Sequence, residues 1–324
     1  MSELIITPAP HLRSSLDVPQ VMTRVFVSLL PAAIWGVAFF GWRLTLVPLV
    51  LAVLGAVGFE ALDCLIFRKP LSIFDGSALV TGLLLGLSLP PGVPLWIPLL
   101  GSGVAIVVGK QMFGGLGQNI FNPALVGRAV LFISWPSIMA SFRVREIWAL
   151  GIPLSGSGWD TVTTATPLGI SKLQGYGTLL RLEPRILWRL FVGTVPGCIG
   201  EISAVALLAG FFYLLFTGIV RWDIPTFYFL GLTLVALFAG QNPLYHILAG
   251  GAILGGCFMA TDYVTSPLTF RGKVVFGLGA GMLTGLIRWL GGYPEGVTFG
   301  ILVMNAVVPF LDRMLPRRFG VKKV

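Results

Sequence analysis

The sequence predicts an all-α polytopic membrane protein of about ten transmembrane helices, arranged as two inverted five-helix repeats. The first observation is composition: of 324 residues, 56% are hydrophobic and 11% are charged, and the mean hydropathy is +0.90. A soluble domain carries about 25% charged residues, so this composition excludes a soluble globular enzyme. The second observation is a series of apolar runs. The third is one long hydrophilic stretch, with five apolar runs before it and five after it.

Each apolar run is judged against the roughly 20 residues that a helix needs to cross a bilayer. Runs 77–91 and 224–240 are short for a crossing, whereas 187–220 is long and holds Gly and Pro residues between 193 and 200. These residues predict an interrupted helix or a re-entrant piece, and such breaks commonly line a site. In chain order the runs cover 25–42, 44–67, 77–91, 94–116, 122–142, 187–220, 224–240, 246–267, 273–291 and 297–312.

The repeat is inferred from the odd number of spans on each side of the hydrophilic stretch. Five spans per half force the two halves into opposite orientations. The two halves also end in a similar way. Gly114-Gly115 precedes Phe121 and a span in the first half, and Gly291-Gly292 precedes Phe299 and a span in the second half. Inverted repeats build a site near the midplane between their halves, so a pathway or a buried cofactor is expected there.

Orientation follows from the Lys and Arg residues near the span ends, which favour the cytoplasmic side. They predict that both termini are cytoplasmic and that the central loop is extracytoplasmic. The predicted organisation is a cytoplasmic tail over 1–24, a first repeat over 25–142, an extracytoplasmic loop over 143–186, a second repeat over 187–312 and a basic cytoplasmic tail over 313–324.

The net charge of +9 does not indicate nucleic-acid binding, because Lys and Arg stand singly between apolar runs rather than in one patch. Cys64, Cys198 and Cys257 lie far apart within apolar runs, so we expect buried thiols rather than disulfides or metal ligands. The chain has neither a dinucleotide-binding fingerprint after a strand nor a Cys-rich cluster motif.

The central loop carries an ordered run of small and hydroxyl residues, Asp160-Thr-Val-Thr163-Thr-Ala165-Thr166. It resembles the Asp-x-x-Ser/Thr-x-Ala-Thr flavinylation motif, in which the last threonine hydroxyl is joined to FMN through a phosphoester. On this resemblance Thr166 is the attachment point, and Asp160, Thr163 and Ala165 support the motif. Basic residues of the same loop are candidates to neutralise the phosphate, although solvated loop charges are the simpler interpretation: Arg143, Arg145, Lys172, Arg181 and Arg185.

The resemblance extends over nearly the whole chain and is to the NqrB/RnfD family. It is carried by Pro10-His-Leu-Arg-Ser14, Gly114-Gly-Leu-Gly-Gln-Asn-Ile-Phe-Asn-Pro-Ala124, Thr261-Asp-Tyr-Val-Thr-Ser-Pro267, Glu295-Gly296 and Met304-Asn305. The short segment before the first span resembles the branch found in Rnf ion-translocating electron-transport complexes. The NqrB branch, from Na⁺-translocating NADH:quinone reductase, is longer there and remains the alternative.

The resemblance implies a subunit that passes electrons between reduced ferredoxin and NAD⁺ while Na⁺ or H⁺ crosses the bacterial cytoplasmic membrane. It implies covalent FMN, a flavin transferase for maturation, and in some members a second, non-covalent flavin (riboflavin or FMN). It also implies other Rnf subunits: membrane subunits, a flavin subunit, and iron–sulfur and NAD-binding subunits. A flavin-free channel or secondary transporter, and a purely structural anchor for redox partners, stay open as rivals.

Two further groups of residues are candidate sites. Asn119, Asn122 and Asn305 occur beside glycines that permit close backbone approach, and they are candidates to hydrogen-bond the second flavin. Carboxylates within apolar runs are candidates for the ion path, or else cap helices or pair with Lys110, Arg128 or Arg288. The four carboxylates are Glu60 and Asp63, which lie on one helical face, Glu201 and Asp262.

Overall fold

The computed structural model describes residues 17–69, 72–145, 161–164, 168–169, 184–291 and 295–313. Apart from one short ribbon, the regular structure in these ranges is helical. The helices are α1 Val18–Phe40, α2 Trp42–Ile66, α3 Ser77–Leu87, α4 Trp96–Gly103, α5 Pro123–Ser134, α6 Pro136–Met139, α7 Pro184–Val192, α8 Ala204–Phe216, α9 Asp223–Phe238, α10 Pro243–Leu248, α11 Ala252–Leu254, α12 Phe270–Leu290 and α13 Val297–Leu311.

The membrane character is confirmed by the length and hydropathy of these helices. Among the described residues, four helical stretches are long and apolar enough to cross a bilayer: Val18–Phe40, Trp42–Ile66, Trp96–Phe113 and Phe270–Leu290. Shorter apolar helices accompany them, including α3, α5, α8, α9 and α13. The chain is therefore a multi-pass helical membrane protein, while ten spans in two inverted repeats stay a prediction.

Proline and asparagine set several helix starts. α1 begins at Val18, earlier than the predicted span, because Pro19 suits the first helical turn. Asn122 precedes Pro123 and accepts the backbone N–H groups of Ala124 and Leu125, so it caps α5. An Asn-Pro pair also begins α10, where the Asn242 side chain accepts the N–H of Leu244.

The helices are interrupted in both halves of the chain. α4 continues into a π-helical turn, Val104–Val108, and α11 continues into another, Gly255–Met259. The predicted span 246–267 is wrong as one continuous helix, because Gly250 and Gly251 adopt positive φ and separate α10 from α11. The predicted break within 187–220 is confirmed by the non-helical residues between α7 and α8.

The all-α prediction needs one correction, a two-stranded antiparallel ribbon. β1 (Phe142–Arg145) pairs with β2 (Thr161–Thr164), with Phe142 opposite Thr164 and Arg143 opposite Thr163. β2 is rich in threonine and valine, which favour strands. The ribbon fixes the backbone of Thr163, a member of the predicted flavinylation motif.

A shared core joins the two halves. Buried side chains from α1, α3 and α5 pack with those of α8, α9 and α11–α13 in one cluster. Close helix crossings inside it use glycine, as is usual where membrane helices pack tightly. At the crossing of α9 and α12, a Cβ on Gly281 would overlap the carbonyl oxygen of Tyr228.

We expect Gly281→Ala to lower stability by about 1–3 kcal/mol, because the added methyl group forces α9 and α12 apart. The measurement is thermal unfolding of the purified chain in detergent. Gly58→Ala is the matched control, since a Cβ on Gly58 in α2 would meet no atom within 4 Å. Equal unfolding temperatures for the two variants would contradict the inferred close packing.

Candidate functional sites at the two ends of α8

Two cavities flank α8, one near each end of the helix. The large cavity has a volume of about 770 Å³, counting space open to solvent, and includes Ile219 and Val220 just after α8. The small cavity measures about 410 Å³ on the same basis and includes Glu201 and Ile202 just before α8. Because α8 has 13 residues, the two cavities are separated by about 20 Å along the helix axis.

Asn119 and Asn122 line the large cavity, together with Lys110 and apolar side chains of α1, α3 and the Phe258 region. Asn119 is buried; its Nδ2 donates to the carbonyl of Phe121, while its Oδ1 accepts no hydrogen bond from any described residue. An unpaired buried amide oxygen is energetically unfavourable. The cavity therefore offers an acceptor to a ligand that carries an N–H or O–H group.

Asn305 lies behind Asn122 and is not part of the cavity wall. Asn305 Oδ1 accepts the backbone N–H of Asn122, and its Nδ2 donates to the carbonyl of Thr265 at 2.9 Å. Asn122 Nδ2 donates to the carbonyl of Met259 at 3.1 Å. These bonds tie the start of α5 to the end of the π-helical turn and to α13, so Asn305 fixes the position of Asn122.

A buried ionic cluster adjoins the large cavity. Lys110 is 1% exposed, and its Nζ donates to Glu60 Oε1 at 2.7 Å and to Ser77 Oγ at 2.6 Å. Glu60 also accepts from Ser72 and Gln111, while its Oε2 has no partner among the described residues. One turn further along α2, Asp63 pairs with the partly exposed Lys69 at 2.9 Å. Glu60 and Asp63 thus share one buried face, as predicted.

Asp262 differs from the other candidate carboxylates because no Lys or Arg forms an ion pair with it in the part of the chain that the structure describes. Its Oδ2 accepts from the Thr265 hydroxyl at 3.1 Å, and its Oδ1 accepts the backbone N–H of Val264. Asp262 also lines the large cavity. The side chain combines a negative charge with access to an internal space.

A second buried cluster borders the small cavity. Arg128 of α5 is 3% exposed; its Nη1 donates to Glu201 Oε1 at 2.7 Å, and its Nη2 donates to Glu295 Oε2. Burial raises the pKa of Glu295, which lies between α12 and α13, and the guanidinium of Arg128 opposes that rise. Arg288 donates to the Glu295 carbonyl and to the carbonyls of His246, Ala249 and Gly250.

Cys198, Glu201 and Glu295 bring ligand-type atoms within 4.8 Å of one another. A metal ion is nevertheless a poor fit, because the guanidinium of Arg128 already binds both carboxylates and contacts the Cys198 sulfur at 3.4 Å. The free thiols are all buried, as the sequence predicts. The arrangement is a buried ion-pair cluster rather than a metal centre.

The predicted flavinylation motif overlaps β2 and is followed by the buried residue Leu168. Asp160, Ala165 and Thr166 lie outside the described residues, and only the backbone of Thr163 is described, within β2. Two positions beyond Thr166, Leu168 is 1% exposed and packs with Leu190, Tyr245 and Ala249. The chain around the motif is thus tied to the ribbon on one side and to the second half's core on the other.

From the sequence, Arg128 is predicted only as an ion-pair partner of a carboxylate, and Glu295 is not among the predicted site residues. The only sequence feature that points to Glu295 is its place in the motif Glu295-Gly296. Lys110 likewise appeared only as a partner for a carboxylate. A lysine or arginine placed within an apolar run is itself the signal that could have found both cations.

Comparison with known proteins gives consistent results over the full chain. The sequence model of the NQR2, RnfD, RnfE family matches residues 5–320. The chain is 44% identical to the D subunit of the Na(+)-translocating ferredoxin:NAD(+) oxidoreductase complex of Acetobacterium woodii, over 99% of this chain and 96% of that protein. It is also 44% identical to the D subunit of the proton-translocating ferredoxin:NAD(+) oxidoreductase complex of Clostridium ljungdahlii, over 98% and 96%. The D subunit of the ion-translocating oxidoreductase complex of Stutzerimonas stutzeri is 38% identical, over 95% and 93%.

Proposed function

The chain belongs to the NQR2, RnfD, RnfE family, and from this membership we propose that it is the D subunit of an Rnf-type ferredoxin:NAD⁺ oxidoreductase that translocates Na⁺ or H⁺. The single observation that carries a redox role is the motif Asp160–Thr166, four residues of which form β2 and which is followed by buried Leu168. A passive channel has no need of this motif. Relatives of equal identity are named for different ions, so overall similarity does not select the ion.

Thr166 is proposed to carry FMN through a phosphoester. β1, which contains Arg143 and Arg145, pairs directly with β2 and so brings cationic residues to the strand that leads into the attachment site. Cations beside a phosphate form charge-assisted hydrogen bonds, which supports a phosphorylated group here. Bound flavin supplies one- and two-electron chemistry, and the chain supplies its position and electrostatic surroundings.

The large cavity is proposed to bind the second, non-covalent flavin, riboflavin or FMN. Its walls are mainly apolar with a few convergent polar groups, which is the lining that small-molecule sites usually have. Asn119 provides the unpaired acceptor, Asn122 is held by Asn305, and Lys110, which is paired with Glu60, adds a polar group to the wall. Leu168, two positions after the proposed attachment residue, lines the small cavity at the other end of α8, so the two flavins are proposed to lie toward opposite ends of that helix.

The predicted ion path remains a proposal, and the geometry ranks its members. Glu60, Asp63 and Glu201 are each engaged in ion pairs, whereas Asp262 faces the large cavity without one among the described residues. Asp262 is therefore the first candidate to bind a translocated cation beside the proposed second flavin. Replacement of Asp262 by Asn tests it through ion uptake by vesicles that hold the assembled complex.

The proposal also covers the orientation of the chain in the membrane and its partner proteins. Both termini are proposed to be cytoplasmic and residues 143–186 extracytoplasmic, in a bacterial cytoplasmic membrane. The partners are the other Rnf subunits, which hold the iron–sulfur and NAD sites, and a flavin transferase that loads Thr166. The names of the relatives as complex subunits support this assembly.

Covalent FMN is tested by co-expressing the chain with a flavin transferase and reading in-gel flavin fluorescence and intact mass. We expect an FMN-phosphoryl mass increment and a fluorescent band for the wild type, and neither for Thr166→Ala. Thr164→Ala is the matched control at the end of β2 and is expected to keep both signals.

A dark, unmodified wild-type band, with the transferase shown active on a known acceptor, would contradict the redox assignment. In that case the secondary-transporter alternative takes its place, since helix breaks and a cavity between halves suit a transporter equally.

A further inference from the structure

A further pocket lies beside the large cavity, where the loop after α8 meets the first turns of α9 and α12. Its volume, counted for water-sized groups, is about 60 Å³, which is room for about four such groups. It therefore admits a short polar ligand and excludes a ring system. We call it the α9–α12 pocket, and its polar lining consists of Arg221, Asp223, Thr261, Tyr263, Ser266 and Lys273.

Asp223 places a buried carboxylate in this pocket. It is 1% exposed, and neither of its oxygens accepts a hydrogen bond from a described residue. Arg221 Nε lies 3.1 Å from Asp223 Oδ2 without forming a hydrogen bond, and the Arg221 side chain is 68% exposed. Buried carboxylate oxygens normally accept hydrogen bonds, so the pocket offers an acceptor to a ligand with charged N–H groups.

Lys273 lies on the face of α12 that packs against α9. A Cβ on Gly277, four positions further along α12, would lie 2.8 Å from the carbonyl oxygen of Ile224, and residues four apart share one helix face. Lys273 forms no ion pair within the part of the chain that the structure describes. The pocket thus combines two cations, Arg221 and Lys273, with one buried carboxylate.

Aromatic side chains indicate that the pocket lies at the level of the lipid headgroups. Trp222, which precedes α9, is 56% exposed, and Tyr263 is 55% exposed. The Tyr263 hydroxyl donates to the carbonyl of Ile219, which ties the pocket wall to the end of α8. Exposed tryptophan and tyrosine at helix ends are typical of the membrane–water interface. Phospholipid headgroups are therefore the ligands that meet this pocket.

We propose that the α9–α12 pocket binds the headgroup of phosphatidylethanolamine, with the ammonium on Asp223 and the phosphate beside Arg221 and Lys273. A primary ammonium carries three N–H donors, which the Asp223 oxygens lack in the described structure. The ethanolamine arm is short enough for the enclosed space, and the phosphate stays at the mouth, where the exposed Arg221 reaches it.

The charges of the pocket disfavour simpler ligands. A metal cation would lie beside Arg221 and Lys273, which repel it, and a lipid with a phosphate alone would leave the buried Asp223 oxygens without donors. Only a ligand with both charges answers both parts of the lining. Because Ile219 and Val220 line this pocket and the large cavity alike, the bound headgroup also braces one wall of that cavity.

The first test compares lipids on the unmodified chain. The full-length chain, purified in detergent, is mixed with one dioleoyl phospholipid at a time, and bound lipid is counted by native mass spectrometry. We expect retention to fall about tenfold from phosphatidylethanolamine through its N,N-dimethyl form to phosphatidylcholine, because each methyl group removes an N–H donor. Phosphatidylglycerol, which has no ammonium, is expected to bind as weakly as phosphatidylcholine.

The second test uses variants of the pocket. Asp223→Asn is expected to abolish the preference for phosphatidylethanolamine over phosphatidylcholine, whereas Lys273→Met is expected to lower the retention of both lipids, since both carry the phosphate. Asp17→Asn is the matched control, because Asp17 precedes α1, is exposed and caps no backbone N–H. This control is expected to retain lipids like the wild type.

Three outcomes would overturn the proposal. The first is equal retention of phosphatidylethanolamine and phosphatidylcholine by the wild type, a result that needs no variant to fold. The second is an unchanged preference in Asp223→Asn that elutes as a monodisperse species. The third is displacement of the lipid by an equal concentration of soluble phosphoethanolamine, which would assign the pocket to a free phosphorylated amine instead of a lipid.

Discussion

Replacement of Arg128 by methionine is expected to lower the free energy of unfolding by about 3–5 kcal/mol, because it leaves two carboxylates buried without their counter-charge. Arg128 is the shared donor to Glu201 and Glu295, and all three side chains are largely or fully removed from solvent. The measurement is the thermal unfolding midpoint of the purified chain, together with the fraction that elutes as a monodisperse species. Arg271→Met, at an exposed arginine of α12, is the control and should change stability little.

A combined variant distinguishes lost pairing from lost packing. Arg128→Met with Glu201→Gln and Glu295→Gln removes all three charges and should recover most of the lost stability, since a neutral set needs no counter-ion. If the single variant unfolds at the wild-type temperature, or the triple variant is no more stable than the single one, the ionic account of this cluster is wrong.

Lys110→Met is expected to produce a loss of similar size, about 3–5 kcal/mol, because Glu60 is wholly buried and Lys110 is its ion-pair partner. The comparison is Lys69→Met. In the unmodified chain the Lys69 side chain is 36% exposed and pairs with Asp63 of α2 at 2.9 Å. Solvent screens that pair, so its loss should be well under half as large. Unfolding midpoints of both variants, measured side by side, give the ratio.

The charge on Glu60 can be removed to complete the comparison. Lys110→Met with Glu60→Met should be more stable than Lys110→Met alone, since the buried carboxylate is gone. Equal losses in Lys110→Met and Lys69→Met would show that burial does not govern these two pairs.

The sequence was sufficient for features that depend on local spacing. Glu60 and Asp63, three positions apart in a helical run, do lie on one buried face. The glycines and proline after Val192 do end a helix. Asn122 and Pro123 form a capping pair whose residue types indicate a helix start.

Other features depend on distant residues or on subtle backbone geometry. Arg128 and Glu295 are 167 positions apart, so their pairing becomes visible only in three dimensions. The π-helical turns at Val104–Val108 and Gly255–Met259 have the same apolar composition as ordinary helix, so hydropathy cannot detect them. The short strands were hidden because the surrounding stretch has the composition of a polar connector.

The ion pairs of Arg128 also constrain the order in which this membrane protein can be built. During synthesis α5 emerges first, and Glu201 follows Arg128 by 73 residues and Glu295 by 167. Until then the guanidinium has neither partner, and an unpaired arginine in hydrocarbon is strongly disfavoured. We therefore expect the fifth helix to stay beside the insertion machinery, or beside another protein, until the second half arrives to neutralise it. Biogenesis of the first half is in this sense completed by the last helices of the chain.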